Sequence, residues 1–192
     1  AITGGGINRL RDALADKNHQ LARAVEQVRE MAIRDDLTGL FNRRHLLEIL
    51  ERQRALFARK GLPFAICYVD LDHFKQINDR HGHDWGDRVL RRFSALALAG
   101  MRDGDYFGRL GGEEFLLILP QSDESGALRV AERLRERWRE ESFMQEGGPG
   151  AVSLSVGVAA CQENETIDEL INRADRGLYK AKSGGRNQSR VA

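Results

Sequence analysis

From Ile7 to Arg34 the apolar residues recur with a heptad period: Ile7, Leu14, Leu21 and Val28 are spaced by seven. Leu10, Ala24 and Met31 fill the companion position three residues later, and Lys17 interrupts it. No proline or internal glycine breaks the stretch. Such a narrow seam predicts a coiled coil, because a helix lying on its own core shows a broader stripe. At 1.5 Å per residue the helix would extend roughly 40 Å. A parallel dimer stalk is therefore favoured over an amphipathic helix docked on its own domain. Lys17 weakens the seam but can help fix its register.

Beyond Arg34 the periodicity changes. Gly39 breaks the helix, and Asn42 can cap the next one, with His45, Leu46, Ile49, Leu50, Leu56 and Phe57 at helical spacing until Gly61-Leu62-Pro63. Residues 64–69 are almost wholly apolar, as befits a central strand buried on both faces. Residues 78–87 are rich in polar groups and glycine, so they form a loop or a broken helix. Val89, Leu90, Phe93, Leu96 and Leu98 then predict an amphipathic helix ending at Gly100. Arg109 to Phe115 reads as a hairpin turn, in which paired glycines supply positive φ angles. Asp123 can cap a helix from Glu124 to about Glu141, with Leu128, Val130, Ala131, Leu134 and Trp138 on its apolar face. Residues 152–158 alternate with period two and predict a strand with one polar face. A last helix carries Ile167, Leu170, Ile171, Ala174, Leu178 and Tyr179, and frays between Lys180 and Asn187.

Composition narrows the class. At 192 residues the chain has room for one domain and an extension. A net charge of +1 gives no basic field of the kind that marks nucleic-acid binding, so no nucleic-acid partner is expected. No apolar run approaches the ~20 residues that span a bilayer. Cys67 and Cys161 lie in apolar runs and read as buried free thiols of a reducing compartment. A cytoplasmic domain is expected, with membrane attachment of the full-length protein upstream of it left open. Residues 1–6 read as a tag remnant or linker, 7–34 as the stalk and 35–192 as the domain.

The chemistry gathers at a few points. Asp70 and Asp72 follow a buried strand, where acids find no core partner and are placed to hold a hard cation. The alternative is that they cap the next helix. His73 and Phe74 open that helix, whose free amides face any bound phosphate, and Lys75 adds charge. Asn78 and Asp87 carry groups that can read a purine edge. Gly111 and Gly112 leave room for a ligand near Glu113 and Glu114. Lys182 and Arg186 suit phosphates, or merely complement a helix dipole.

Five stretches together carry a resemblance: Asp35-x-Leu-Thr-Gly-Leu-x-Asn-Arg-Arg44, Asp70-x-Asp-x-Phe-Lys-x-x-Asn-Asp79, His81-Gly-His-x-x-Gly-Asp87, Arg109-x-Gly-Gly-Glu-Glu-Phe115, and Ala174-Asp-x-x-Leu-Tyr-x-Ala-Lys182 with Gly185-Arg-Asn187. Over roughly residues 35–187 the sequence resembles the GGDEF family of diguanylate cyclases, in a GGEEF variant that active members also show. The resemblance implies an α+β fold: a five-stranded, mainly antiparallel sheet wrapped by helices, similar to adenylyl cyclase and polymerase palm domains. It implies condensation of two GTP into cyclic di-GMP with release of two pyrophosphates, by a homodimer whose domains each hold one GTP. Asp70, Glu113 and the Leu71 carbonyl would bind two Mg²⁺ or Mn²⁺ ions. Glu114 would take the hydroxyl proton or support the metals, with Lys75 and Glu113 also in the catalytic set. Asn78 and Asp87 would read guanine. Gly111 and Gly112 would admit the nucleotide, and Lys75, Lys182, Arg186 and the amides of His73 and Phe74 would contact phosphate. Arg102 and Asp105 match a product-binding inhibitory site, to which Arg133 would add a second arginine. An upstream sensory or receiver domain would act through the stalk. The other readings are a non-catalytic cyclic di-GMP receptor or GTP-sensing module, and a unit that serves only dimerisation.

Overall fold

The computed structural model describes residues 4–192, except for the side chains of residues 4–7 and of residue 10. The chain divides into two compact units, with the boundary between Arg34 and Asp35. The first holds one helix, α1 (Gly4–Ile33), which begins at Gly4 rather than at Ile7. The three glycines of the segment assigned to a tag or linker lie within the helix, and residues 1–3 lie outside the described residues. Leu14, Leu21, Val28 and Met31 are each more than half exposed, and so is Val25 beside the seam. Among the described residues, no helix is long and apolar enough to cross a membrane.

The second unit is built on a five-stranded sheet. Its elements are α2 (Arg43–Lys60), β1 (Phe64–Leu71), α3 (Phe74–His81), α4 (His83–Ala99), β2 (Tyr106–Gly111), β3 (Glu114–Pro120), α5 (Glu124–Arg139), β4 (Leu154–Ala160), α6 (Ile167–Ser183) and β5 (Ser189–Val191). The strand order is β2-β3-β1-β4-β5, with β1 at the centre. Every pairing is antiparallel except β4 with β5, which is parallel.

Helix ends follow their capping chemistry. Asn42 accepts from the His45 amide at the start of α2, and Gly61 closes that helix in the left-handed conformation. Asp123 accepts from the Gly126 amide at the start of α5. Thr166 and Glu169 form a reciprocal capping box at the start of α6.

Successive residues of a strand face opposite sides, and β1 divides its apolar residues accordingly. Ala65, Cys67, Val69 and Leu71 enter a core with Phe93, Phe107, Phe115 and Trp138 from the α4 and α5 side. Phe64 and Ile66 enter a second core with Leu46, Ile49, Leu50, Leu170 and Ala174 from α2 and α6. Both faces of the central strand are thus dry, which is why its sequence is nearly all apolar.

Three sequence expectations need correction. Residues 152–158 do not form a strand with a polar face: β4 starts at Leu154 and is buried on both sides. Its one interior polar residue, Ser155, donates to a buried carboxylate. The segment after Lys180 does not simply fray, because α6 runs to Ser183 and the chain then returns as β5. Three residues give too little periodicity for a pattern to reveal them. Finally, α5 ends at Arg139 rather than near Glu141.

Candidate active site

The C-terminal end of β1 and the β2–β3 turn meet at the same end of the sheet. Asp70 pairs in register with Glu114 on β3 and with Ser155 on β4. Gly111 and Gly112 take φ of 148° and 51°, and the latter is left-handed, as the tight turn requires. Glu113 sits in that turn, and its carbonyl accepts from the Leu71 amide at 3.3 Å. The Asp70 side chain is only 7% exposed, and Lys182 Nζ lies 2.7 Å from its Oδ2. Burial pushes the Asp70 carboxyl up to about 6; Lys182 opposes this, and the charges of Glu113 and Glu114 add to it. Three acidic groups therefore share one small region with one lysine. Tyr68 points to the same side of β1 as Asp70 and donates from its hydroxyl to Glu114 Oε1 at 3.2 Å. Burial, followed by the Glu114 charge, raises the tyrosine pKa well above its usual value.

Lys182 is thus not a free phosphate ligand. In this structure it is the counter-charge of Asp70, because a carboxylate this buried needs a cation beside it. Among the described residues, no three or more His, Cys, Asp or Glu side chains gather closely enough to hold a metal ion by themselves. The available donor set is mixed: the carboxylates of Asp70 and Glu113 and the Leu71 carbonyl. All are hard oxygens suited to Mg²⁺ or Mn²⁺. That a cation, Lys182 Nζ, already sits against Asp70 shows that the site favours positive charge.

Asp72 does something the sequence reading did not foresee. It does not cap α3, whose preceding residue His73 is left-handed at φ 58° with no side-chain cap. Its carboxylate is 3% exposed as a residue and accepts from Ser153 Oγ and Ser155 Oγ at 2.7 Å each, and from the Asn187 amide at 3.0 Å. One acid thereby ties the end of β1 to β4 and to the turn that bears Arg186.

Helices α3 and α4 bring Asn78 and Asp87 together through Gly86. A Cβ at position 86 would lie 2.0 Å from Asn78 Oδ1, so only glycine lets the amide rest against α4 one residue before Asp87. Asn78 and Asp87 are both partly exposed, and Lys75 and His73 are exposed on the same short helix and its N-cap.

A brace holds the hairpin. Arg109 Nε donates to the Gly112 carbonyl at 2.9 Å, and its Nη1 reaches Asp35 Oδ1 at 3.2 Å. Asp35 also accepts from the Thr38 amide and hydroxyl. The first motif of the domain thus steadies the turn bearing Glu113, a link that no local pattern could disclose.

Arg102, Asp105 and Arg133 line a separate groove of about 720 Å³, together with Arg129 and Ser122. Arg102 Nε donates to Asp105 Oδ1 at 2.9 Å and its Nη2 to the Pro120 carbonyl and to Ser122 Oγ. Arg133 Nη2 donates to the Gly100 carbonyl at 3.3 Å. The Arg102 side chain is 58% exposed while that of Asp105 is 3% exposed, so the guanidinium is the accessible half of the pair. Asp105 precedes β2 and the Glu113 turn follows it. The groove and the acidic cluster are therefore about a strand length apart, roughly 20 Å for six residues.

The family model described as "Diguanylate cyclase, GGDEF domain" matches residues 32–188. Diguanylate cyclase DgcP of Pseudomonas aeruginosa is 38% identical over 181 residues, which cover 94% of this chain and 26% of that protein. Diguanylate cyclase DosC of Escherichia coli is 41% identical over 155 residues, or 80% of this chain and 34% of that protein. The crystal structure of the coiled coil and GGDEF domain of DgcB from Caulobacter crescentus in complex with c-di-GMP superimposes with a TM-score of 0.89 at 31% identity. It covers 96% of this chain and 98% of that one. The chain spans only about a quarter to a third of the curated relatives it matches.

Proposed function

The chain belongs to the GGDEF-domain family of diguanylate cyclases, and from that premise we propose that it condenses two GTP into cyclic di-GMP and two pyrophosphates. The observation that carries this reading is Asp70, buried and in register with Glu114, beside the glycine turn that bears Glu113. Two Mg²⁺ or Mn²⁺ ions, when bound by Asp70, Glu113 and the Leu71 carbonyl, would lower the pKa of the attacking 3′-hydroxyl and neutralise the leaving pyrophosphate.

The protein's own groups do the rest. Glu114, oriented by the Tyr68 hydroxyl, accepts the 3′-hydroxyl proton or supports the metals. Asn78 and Asp87 accept hydrogen bonds from the amino and imino groups of guanine, so GTP is preferred over ATP. The amides of His73 and Phe74, with Lys75 and Arg186, hold the phosphates. Lys182 exchanges its contact with Asp70 for phosphate as substrate arrives. Gly111 and Gly112 keep the space above the turn clear.

Each domain holds one GTP, so two must face one another. The exposed seam Leu14, Leu21, Val28 and Met31 of α1 supports a parallel homodimer through that helix. An upstream sensory or receiver domain would set the geometry of this stalk, in keeping with the greater length of the relatives. Cyclic di-GMP binding in the groove of Arg102, Asp105 and Arg133 provides feedback inhibition: the exposed Arg102 guanidinium stacks on a guanine and bonds its edge, while the buried Asp105 carboxylate holds that guanidinium in place. The c-di-GMP complex of the similar DgcB domain supports product binding of some kind. The domain works in the cytoplasm, where GTP is available.

Incubation with GTP and Mg²⁺ followed by chromatography tests the reading, with Glu114→Ala alongside. Cyclic di-GMP from the wild type and none from the variant is expected. Equal product from both proteins would remove Glu114 from the mechanism.

A further inference from the structure

We propose that Glu132 and Arg135 of α5 are positioning residues for the phosphate end of the substrate, acting through the turn that carries Arg186. The proposal rests on the GTP reading above. Gly185, Arg186 and Asn187 follow one another with φ of 112°, 61° and 47°. Two of these are not glycine, and although asparagine takes the left-handed region readily, an arginine there persists only where its surroundings over-determine it.

The surroundings can be enumerated. The Arg186 amide donates to the Ala181 carbonyl at 3.0 Å, Gln188 Nε2 donates to the same carbonyl at 2.9 Å, and the Asn187 amide donates to Asp72 Oδ2 at 3.0 Å. The Val156 amide of β4 donates to the Gln188 carbonyl at 3.0 Å, and two further restraints come from α5. Arg135 Nη1 donates to Asn187 Oδ1 at 3.1 Å, and the Ser189 amide donates to Glu132 Oε1 at 3.1 Å. Glu132 and Arg135 hold each other at 2.7 Å, with the Arg135 side chain only 14% exposed. The hydrogen bond from Arg135 is the main influence holding the Glu132 carboxyl below its ordinary range.

By sequence alone, Glu132 and Arg135 are an unremarked pair three apart on a helix, of the kind worth little when solvated. Here both reach across to a different element. Of the three left-handed residues only Arg186 is charged, and it is exposed. A guanidinium on a fixed turn loses less entropy on meeting a phosphate than one on a loose turn. The pair therefore acts on the affinity for phosphate without touching the substrate.

The test compares two ligands in Mg²⁺: 3′-deoxy-GTP, which lacks the attacking hydroxyl and cannot cyclise, and GMP, which lacks the two outer phosphates. The variants are Arg135→Gln and Asn187→Gly. The second still permits the left-handed backbone and deletes the carboxamide that Arg135 holds, while also freeing the turn, so it carries the comparison if Arg135→Gln fails to fold. Each variant is expected to bind 3′-deoxy-GTP about tenfold more weakly while its affinity for GMP stays within about twofold. The double variant should lose no more than the worse single, since both cut the same link. Unchanged 3′-deoxy-GTP affinity, or a parallel loss for both ligands, overturns the proposal by leaving the pair a structural role or none. Wild-type protein that binds neither ligand overturns the GTP reading itself, and this inference with it.

Discussion

Replacing Asp72 by alanine should cost the domain more than replacing any acid that lies in water. The carboxylate is buried and accepts three hydrogen bonds, from Ser153 Oγ, Ser155 Oγ and the Asn187 amide. Hydrogen bonds to a charged group contribute about 1.5–3 kcal/mol each, and deleting one partner leaves the others buried without an acceptor. The hydroxyls can turn to other acceptors, but the Asn187 amide cannot move without its turn. A loss of about 3–5 kcal/mol is the consistent figure for breaking a buried network. In a domain of this size that lowers Tm by about 10 °C. Asp72→Asn keeps one acceptor oxygen and should lose about half as much. Near-ultraviolet circular dichroism reports the transition, since Trp85 and Trp138 both lie in the second unit and not in the stalk. A Tm shift below about 2 °C for Asp72→Ala would refute the reasoning, because the carboxylate would then hold nothing together. The KM for GTP should also rise in the variant, as Asn187 is the neighbour of Arg186.

Three further outcomes follow from the same geometry. Gly86→Ala should push the Asn78 amide away and reduce discrimination of GTP from ITP, which lacks the 2-amino group, by about tenfold; competition kinetics measures the ratio, and combining it with Asn78→Ala should add little. Arg102→Ala should relieve product inhibition, read as a higher plateau of cyclic di-GMP, while the initial rate in product-free protein stays within about twofold because the groove lies about a strand length from Glu113. Leu14→Glu with Leu21→Glu should lower specific activity at dilute protein and recover it at high concentration; unchanged activity across a dilution series would discard the stalk dimer.

Much of this architecture was legible in the residues, and the exceptions share a cause. Helix α2 announced itself through Asn42 and Gly61 and the spacing of Leu46, Ile49 and Leu50, all local signals. The central strand β1 was readable because burial on two faces leaves only apolar residues. The positions of Asp70, Glu113, Asn78 and Asp87 came from motif spacing and from family resemblance. What escaped was long-range. Ser155 reads as the polar face of a strand until Asp72 is placed beside it, 83 residues away in sequence. Strand β5 is too short to show alternation and exists because β4 offers it an edge. Lys182 reads as a phosphate ligand, and only the fold shows that a buried Asp70 claims it first. Hydrogen bonds between distant elements leave no period in the sequence, so they must be seen.

The central claim is that this chain joins two GTP through the acidic cluster at the end of β1. The most direct measurement is product identity and stoichiometry: protein stripped of bound nucleotide, given GTP and Mg²⁺, with the dinucleotide identified by mass and pyrophosphate counted. The account predicts cyclic di-GMP with two pyrophosphates for each molecule formed, and neither from Glu114→Ala. GTP left intact by stripped, folded, dimeric wild-type protein would contradict it.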